Sequence, residues 1–194
     1  MSMGRPRSFA EDEVIDRARD VFWERGYSAT SMRDLGEQLG VLPGSLYSAF
    51  GDKHAVFLRA LDRYTAATRE GASWLREGPV LARLREMLLD VLNAAELAPG
   101  RGCMLGNTAT ELLPDDAAAG DLVRGALGEL EHSIEQALSA AQSIGEVASD
   151  IDPGPHARML VALMQGLHVL ARTELDPRRL RDAVDATLAA LRPT

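Results

Sequence analysis

The chain has a single cysteine, Cys103, and it lies in a segment of unusual composition. Residues 101–116, RGCMLGNTATELLPDD, predict a helix that ends at Pro114, with small and polar residues where a simple core helix would carry leucine and alanine. Cys103 falls in the first turn of this helix, after Arg101, and both a helix N-terminus and a nearby cation favour the nucleophilic thiolate. We therefore hypothesise that electrophiles or hypochlorous-type oxidants modify Cys103. A lone cysteine that is simply a small buried residue is the alternative.

Further residues could form a cavity for a noncovalent effector, which requires apolar walls and a few polar groups. Besides Cys103, the candidates are Trp74, Met87, Met104, Asn107, Glu111, Met164 and His168. The alternative is ordinary hydrophobic core for the methionines and the tryptophan, and a satisfied core histidine for His168. Copper binding by Cys103 and Met104 is a rival, but one thiol and one adjacent thioether do not make a site without further ligands. We predict no metal site.

No arrangement of residues indicates an enzyme. The four histidines, His54, His132, His156 and His168, form no H-x-x-x-H pair, and the sequence has neither a C-x-x-C pair nor a P-loop. No serine lies in a G-x-S-x-G motif. We therefore expect no catalytic activity and no cofactor.

The composition favours an all-helical protein without a membrane span. The 194 residues are 46% hydrophobic and only 5% aromatic, with alanine and leucine prominent. One cysteine excludes an internal disulfide, as expected of a cytoplasmic protein, and no signal peptide opens the chain. The longest uncharged apolar run, roughly residues 159–171, is too short to cross a bilayer.

Residues 28–53, SATSMRDLGEQLGVLPGSLYSAFGDK, predict two short helices joined by a tight turn. Ser31 and Asp34 have the spacing of a capping box at the start of the first helix, and Gly40 suits its left-handed C-terminal position. Pro43 suits the first position of the second helix, whose Leu46 and Phe50 point back to the first. The opposite face is small, polar and aromatic, as expected of a helix that enters a DNA major groove.

The remaining periodicity predicts helices over about residues 10–25, 53–76, 80–97, 115–144, 155–174 and 177–191. The first carries an apolar stripe of Val14, Ala18, Val21 and Phe22. The last two carry stripes of Met159, Leu163, Leu167 and Leu170, and of Leu180, Val184, Leu188 and Leu191. Such stripes can be the core of the chain or the interface of an oligomer.

Roughly residues 8–61 resemble the DNA-binding segment of the TetR family of bacterial repressors, through the pieces G-Y-x-A-T, L-G-V-x-P-G-S-L-Y and F-x-x-K. The resemblance implies an all-α chain with a three-helix helix-turn-helix domain at residues 1–52 and an effector-sensing and dimerisation domain at 53–194. It implies a homodimer through the last two helices, and a DNA-binding transcriptional regulator released from a palindromic operator by a small-molecule or thiol-reactive effector. A noncovalent organic ligand is the usual effector in the wider family.

The resemblance also assigns DNA contacts. Arg5 and Arg7 follow the backbone or the minor groove, or else belong to a solvated terminus without a role. Phosphates are held by Thr30, Arg33, Tyr47 and Lys53, and bases are faced by Leu42, Pro43, Gly44, Ser45 and Ser48. Leu42 and Pro43 cannot donate side-chain hydrogen bonds, and Ala49 stands where many members have histidine, so we expect thin direct readout. Because the net charge is −8, we expect few contacts with DNA phosphates. Each neutralised phosphate contributes about 0.9 to the slope of log affinity against log salt concentration, so the expected slope per half-site is modest.

The Cys103 segment resembles the G-C-x-x-x-N-x-x-x-E-L stretch of the TetR branch that includes NemR, an electrophile- and oxidant-responsive repressor, and ComR, a copper-responsive one. This second resemblance bears on the branch and not on the fold. The alternative function is a helical ligand-binding or redox-sensing protein without specific DNA binding. Salt-sensitive and sequence-selective binding to DNA would discriminate between the two.

Overall fold

A computed structural model describes residues 11–72, 78–98, 100–173 and 176–193, which are helical with connecting loops and contain no strand. The helices are α1 Glu11–Arg25, α2 Met32–Leu39, α3 Pro43–Phe50, α4 Lys53–Ala72, α5 Val80–Leu97, α6 Met104–Leu112, α7 Ala117–Ser143, α8 Pro153–Leu170 and α9 Pro177–Ala189, with a 3₁₀ turn, Ala171–Thr173, after α8. The predicted all-helical class is confirmed. Arg5, Arg7 and Trp74 lie outside the described residues.

The α2–α3 unit forms through the local signals that the sequence contains. The Ser31 hydroxyl accepts a hydrogen bond from Asp34 N and the Asp34 carboxylate accepts from Ser31 N, which is a complete capping box. Gly40 ends α2 with a left-handed φ of 67°. A side chain at Gly36 would place its Cβ 2.8 Å from Val41 O, so only glycine lets the turn fold back this closely.

The helix-turn-helix shares its hydrophobic core with helices beyond it. Phe22 of α1, Leu35 of α2 and Leu46 of α3 are buried with Phe57 and Leu61 of α4. The same cluster continues into α6 and the first half of α7, whose buried members are Met104, Leu105, Ala119, Val123 and Ala126. The predicted DNA-binding end, which consists of α1 to α3, is therefore packed directly on α6 and α7 of the predicted sensing domain.

The buried face of α1 differs by one position from the predicted stripe. Val14, Ala18 and Phe22 are buried as expected, but Ile15 is buried and Val21 only half-buried. The reason is that α1 packs mainly on α4, which shifts the apolar contact toward Ile15.

A second core fills the other end of the chain. It joins α5, the second half of α7, α8 and α9, with Leu84, Leu88, Ile134, Leu138, Leu160 and Leu191 fully buried. Asp152 caps α8 by accepting from Gly154 N, so α8 begins at Pro153 and not at residue 155 as predicted. Asp176 caps α9 in the same way, and its start at Pro177 agrees with the prediction.

Most residues of the α8 and α9 stripes belong to the core of the chain, which is one of the two alternatives that the pattern left open. Leu167 is buried inside the chain, as are Leu180, Val184, Leu188 and Leu191. The exposed apolar residues of α8 are Ala162 and Val169 together with two members of the stripe, Met159 and Leu170. On α9 the alanines Ala183, Ala186 and Ala189 are exposed, as is the C-cap residue Ala190.

Two kinds of feature are absent from the described part of the chain. None of its helices combines the length and the apolar character that a bilayer span requires. None of its groups of histidine, cysteine and acidic residues is arranged to hold a metal ion.

Candidate nucleic-acid interface and effector cavity

The outer face of α3 is exposed and carries no charged side chain. Leu42, which precedes the helix, is 77% exposed and Tyr47 is 53% exposed, with Gly44 and Ser48 also on the surface. Such large exposed apolar groups are unusual for a solvated helix and fit contact with thymine methyl groups. The face therefore has the composition expected of a recognition helix with few hydrogen bonds to bases.

The recognition helix is held in place by contacts that the sequence did not indicate. The Arg17 guanidinium of α1 donates to Leu39 O at 2.9 Å and to Gln38 O at 2.6 Å, so it satisfies carbonyl groups at the C-terminus of α2. The usual signal for such a capping cation is a basic residue in the same helix, whereas Arg17 comes from the preceding one. This contact fixes the angle between α1 and the helix-turn-helix.

Two of the predicted phosphate ligands have partners inside the protein. Thr30 is only 1% exposed and its hydroxyl donates to Gly26 O at 2.7 Å, which corrects its assignment as a phosphate contact. The Lys53 ammonium donates to Tyr27 O at 3.0 Å and lies 3.9 Å from the centre of the Tyr27 ring. An ammonium has three donors, so Lys53 keeps capacity for a phosphate while it braces the turn before α2.

Arg33 is an exposed cation on α2, the helix that precedes the recognition helix. Its guanidinium pairs with Glu37 at 3.0 Å, one helical turn away, and both side chains are largely exposed. Exposed pairs of this kind contribute roughly 0–1 kcal/mol. Arg33 can therefore exchange the Glu37 carboxylate for a DNA phosphate at little cost in free energy.

A cavity of about 420 Å³ lies between α1, α4, α5 and α8 and the loop that precedes α6. Its apolar wall includes Met87, Val91 and Met164, and its aromatic wall is formed by Trp23 and Tyr64, whose ring centres are 4.9 Å apart. The charged or polar members of the lining are Asp90, Arg101, Arg172 and His168. The volume and the mixed lining suit a small organic molecule.

Two segments of the sequence match known protein families. Residues 14–60 match bacterial regulatory proteins of the tetR family, and residues 80–187 match the tetracyclin repressor-like C-terminal domain. The second match alone covers more than half of the chain. The chain belongs to the TetR family of transcriptional regulators.

Three relatives illustrate the placement in the TetR family. The HTH-type transcriptional repressor ComR of Escherichia coli (strain K12) is 31% identical over 192 residues, which are 96% of this chain and 91% of ComR. The regulator CifR, solved as a cysteine mutant complexed with operator DNA, has a TM-score of 0.80 at 29% identity and covers 97% of this chain and 100% of its own. E. coli NemR in its reduced form, at 19% identity, TM-score 0.77 and coverage of 92% and 93%, shows the shared fold alone.

The predicted effector residues separate into three groups. Met87, Met164 and His168 line the cavity, and Asn107 lies at its edge, where its Oδ1 accepts from Arg172 at 3.1 Å. Met104 is buried in the core of the DNA-binding end. The sequence did not indicate Trp23, Tyr64, Arg101 and Arg172, because they come from α1, α4 and loops that only the fold brings together.

Cys103 precedes α6 as its N-cap residue, one position before the predicted first turn, and is only 5% exposed. Its sulfur lies 3.6 Å from Gln165 Nε2 and 3.8 Å from the Tyr64 hydroxyl oxygen. Tyr64 lines the cavity, so the thiol lies directly behind the cavity wall. A reagent must displace or pass this wall to reach the sulfur.

Glu111 is not in the cavity, which corrects its assignment as an effector residue. Its carboxylate accepts from Tyr27 N at 3.0 Å and from Ser28 N at 2.6 Å, at the turn between α1 and α2. Burial opposes ionisation of this carboxyl, but the amides of Ser28 and Tyr27 outweigh it and lower the pKa of Glu111. Glu111 therefore ties the C-terminal end of α6 to the DNA-binding end of the protein.

We expect Gly44→Ala to weaken DNA binding without weakening the fold. A Cβ at Gly44 meets no atom within 4 Å, and alanine in a helix is favoured over glycine by about 1 kcal/mol or less. The methyl group would instead obstruct close approach of the α3 backbone to a base pair. Titration of an operator duplex should show a loss of at least about tenfold in affinity, a cost typical of a mismatched contact. Urea unfolding should show an unchanged or higher free energy of unfolding.

The matched control is Gly125→Ala on the exposed side of α7, where an added Cβ also meets nothing within 4 Å. This variant should keep the parent's operator affinity. Equal affinities of Gly44→Ala and the parent would show that α3 does not approach DNA closely at this position.

We expect His168 to make the fold less stable in acid. Burial lowers the pKa of His168 from 6.5 to about 4, so the unfolded chain binds a proton between these values while the folded chain does not. Stability is therefore lost as the pH falls through this window. Between pH 7 and pH 5, urea unfolding should show a loss for the parent that exceeds that of His168→Gln by about 1–2 kcal/mol, after discounting for partial exposure.

The control for this measurement is His132→Gln, because His132 is exposed on α7. It should retain the pH dependence of the parent at the same protein concentration. The interpretation fails if His168→Gln and the parent lose the same free energy of unfolding between the two pH values.

Proposed function

We propose that the protein is a transcriptional repressor that binds a palindromic operator as a homodimer in the cytoplasm and is released by a small organic effector. The observation that carries the DNA-binding part is the exposed, uncharged face of α3 around Leu42, Gly44 and Tyr47. Arg33, Tyr47 and Lys53 are the proposed phosphate contacts, and Leu42, Pro43, Gly44, Ser45 and Ser48 are proposed to face bases. The family's use of operator DNA, as in CifR, supports this assignment.

Dimerisation is proposed to use the exposed faces of α8 and α9. Met159, Ala162 and Val169 project from α8 one or two turns apart, and α9 exposes alanines that allow close helix packing. A two-fold axis through this face would join four helices, in which the same patch of each subunit meets itself. Two recognition helices would then lie about 34–36 Å apart or somewhat more, which requires a palindromic site.

We expect Val169→Arg to abolish dimerisation. Val169 is 62% exposed in the single chain, and an arginine there would be buried without a partner in the proposed interface, at a cost of several kcal/mol. Sedimentation at micromolar concentration should show a dimer for the parent and a monomer for the variant. Ile144→Arg is the control, because Ile144 is 77% exposed but lies at the end of α7, outside this face. A monomeric parent, or a dimeric Val169→Arg, would contradict the proposed interface.

The proposed route from effector to DNA passes through α6. At its N-terminal end Asn107 donates to Arg101 O and accepts from Arg172, both of which line the cavity. At its C-terminal end Glu111 holds the amides of Tyr27 and Ser28. An effector that pulls Arg172 or the Arg101 loop would move α6, and α6 would move the turn before α2.

A covalent effector remains the second hypothesis, on the observation that the Cys103 sulfur lies against Tyr64 of the cavity wall. A reagent small enough to enter the cavity would need only a displacement of Tyr64 or Gln165 to reach it. In this hypothesis the adduct at Cys103 moves the start of α6, whereas a noncovalent effector acts from within the cavity.

The experiment is fluorescence anisotropy on an operator selected from random duplexes, with the parent and Cys103→Ser, with and without N-ethylmaleimide. We expect sequence-selective and salt-sensitive binding to a palindrome by both proteins. Release of the parent alone by the reagent assigns sensing to Cys103, whereas equal responses of the two proteins leave the noncovalent effector. If no duplex is selected over random DNA, the repressor function is wrong and the ligand-binding alternative stands.

A further inference from the structure

We infer that the cavity binds a small organic anion, a carboxylate attached to a compact apolar body, with Arg172 as its principal anion-binding residue and Arg101 beside it. The inference rests on the proposed function in one respect, because it takes the cavity to be the effector site. It adds the chemical class of the ligand, for which the apolar walls alone give no indication.

Among the residues that the structure describes, no acid lies beside Arg172 to neutralise its positive charge. Its Nη1 donates to the amide oxygen of Asn107 at 3.1 Å, which is a neutral acceptor. Within the described ranges, no carboxylate oxygen lies within 4.0 Å of its guanidinium nitrogens. An arginine at a cavity wall with only an amide partner can exchange that partner for a carboxylate, which forms shorter and stronger hydrogen bonds.

Arg101 is only partly satisfied. Its Nη2 pairs with Asp20 at 2.9 Å, and its guanidinium lies 4.0 Å from the centre of the Trp23 ring. Its Nε is buried and has no hydrogen-bond partner, a condition that is uncommon for a charged group. A modest turn of this side chain would offer that donor to a ligand while Trp23 continues to support the guanidinium plane.

Arg172 lies against the loop that carries Arg101. A Cβ at Gly102, the residue after Arg101, would lie 3.4 Å from Arg172 Cδ and 3.5 Å from Arg172 Nη1. Gly102 has a φ of +60°, and the Trp23 indole donates to its carbonyl oxygen at 2.8 Å. The glycine therefore lets Arg172 approach this loop closely, and both arginines line the cavity.

The rest of the lining defines the body of the ligand. Met87, Val91 and Met164 form an apolar wall, and Trp23 and Tyr64 add aromatic surface. Asp90 is the one acidic residue among the lining residues that the structure describes, and its Oδ1 accepts from Asn93 at 3.3 Å. His168 is neutral at pH 7, because burial lowers its pKa. Arg101 is already paired with Asp20, so the preference for a monoanion over a cation or a neutral polar molecule comes from Arg172, which has no carboxylate partner among the described residues.

The test is isothermal titration of the full-length protein with matched pairs of an acid and its amide: hexanoate and hexanamide, benzoate and benzamide, phenylacetate and phenylacetamide. Each pair has nearly the same size and differs in charge. We expect at least one acid to bind about tenfold or more tightly than its amide. Arg172→Gln should remove this preference, because glutamine can still reach Asn107 but carries no charge, and Arg172→Lys should retain part of it.

The matched control is Arg124→Gln, which removes an exposed arginine of α7 outside the cavity and should leave the preference unchanged. Equal affinities for acids and amides would overturn the inference, as would a preference that survives in Arg172→Gln or the absence of acid binding up to about 10 mM.

A separate titration of operator DNA distinguishes this inference from the proposed function. An acid that binds through Arg172 but leaves operator affinity unchanged supports the ligand class and removes the effector role of the cavity. Release of the operator by an uncharged amide, with no preference for its acid, supports the effector role and overturns the ligand class.

Discussion

The position of the DNA-binding end depends on the turn between α1 and α2, whose main-chain groups form hydrogen bonds with residues that are distant in the sequence. The amides of Tyr27 and Ser28 have the Glu111 carboxylate as acceptor, 84 and 83 residues along the chain, and Tyr27 O accepts from Lys53. A hydrogen bond from an amide to a carboxylate is stronger than one between neutral groups. Loss of these bonds would also leave the partly buried Glu111 carboxylate without a hydrogen-bond partner. The turn before α2 therefore stays where α6 and α4 hold it. A contact between two side chains joins α4 to α7 nearby, because His54 Nε2 lies 2.7 Å from Oδ2 of Asp116, the N-cap of α7.

Local signals predicted much of the fold because their partners are near in sequence. The capping box of Ser31 and Asp34, the left-handed Gly40 and the proline at the start of α3 each act within four residues, and each is present as predicted. Glu111 could not be placed in this way, since its polar partners, the amides of Tyr27 and Ser28, lie in the turn between α1 and α2, more than 80 residues earlier in the chain. Thr30 was misassigned for a different reason, because its partner is only four residues away: the sequence does not show that the Thr30 side chain is buried and that its hydroxyl already donates to Gly26 O.

Apolar periodicity predicted helices but not the partner of each face. The stripes of α8 and α9 indicated helices correctly, yet Leu167 and Val184 pack inside the chain while Met159 and Val169 remain exposed. A leucine stripe has the same period whether it meets α5 or a second subunit. The informative residues were the alanines of α9, which mark an exposed face with little side-chain volume. The lining of the cavity could not be predicted either, since Trp23 and Arg172 are 149 residues apart in the sequence and both line it.

The energies of these contacts limit how an effector can act. A shift of tenfold in operator affinity requires about 1.4 kcal/mol of differential binding between the two conformations. Replacement of the Arg172–Asn107 hydrogen bond supplies roughly 0.5–1.5 kcal/mol, which is too little for release by a hundredfold. Further energy must come from a second contact between the cavity and the DNA-binding end. Trp23 provides one, because this α1 residue lines the cavity, stacks with Arg101 and donates to Gly102 O. An effector that fills the cavity, as proposed, would therefore act on α1 directly as well as on α6, and the two displacements together would change operator affinity more than either one alone.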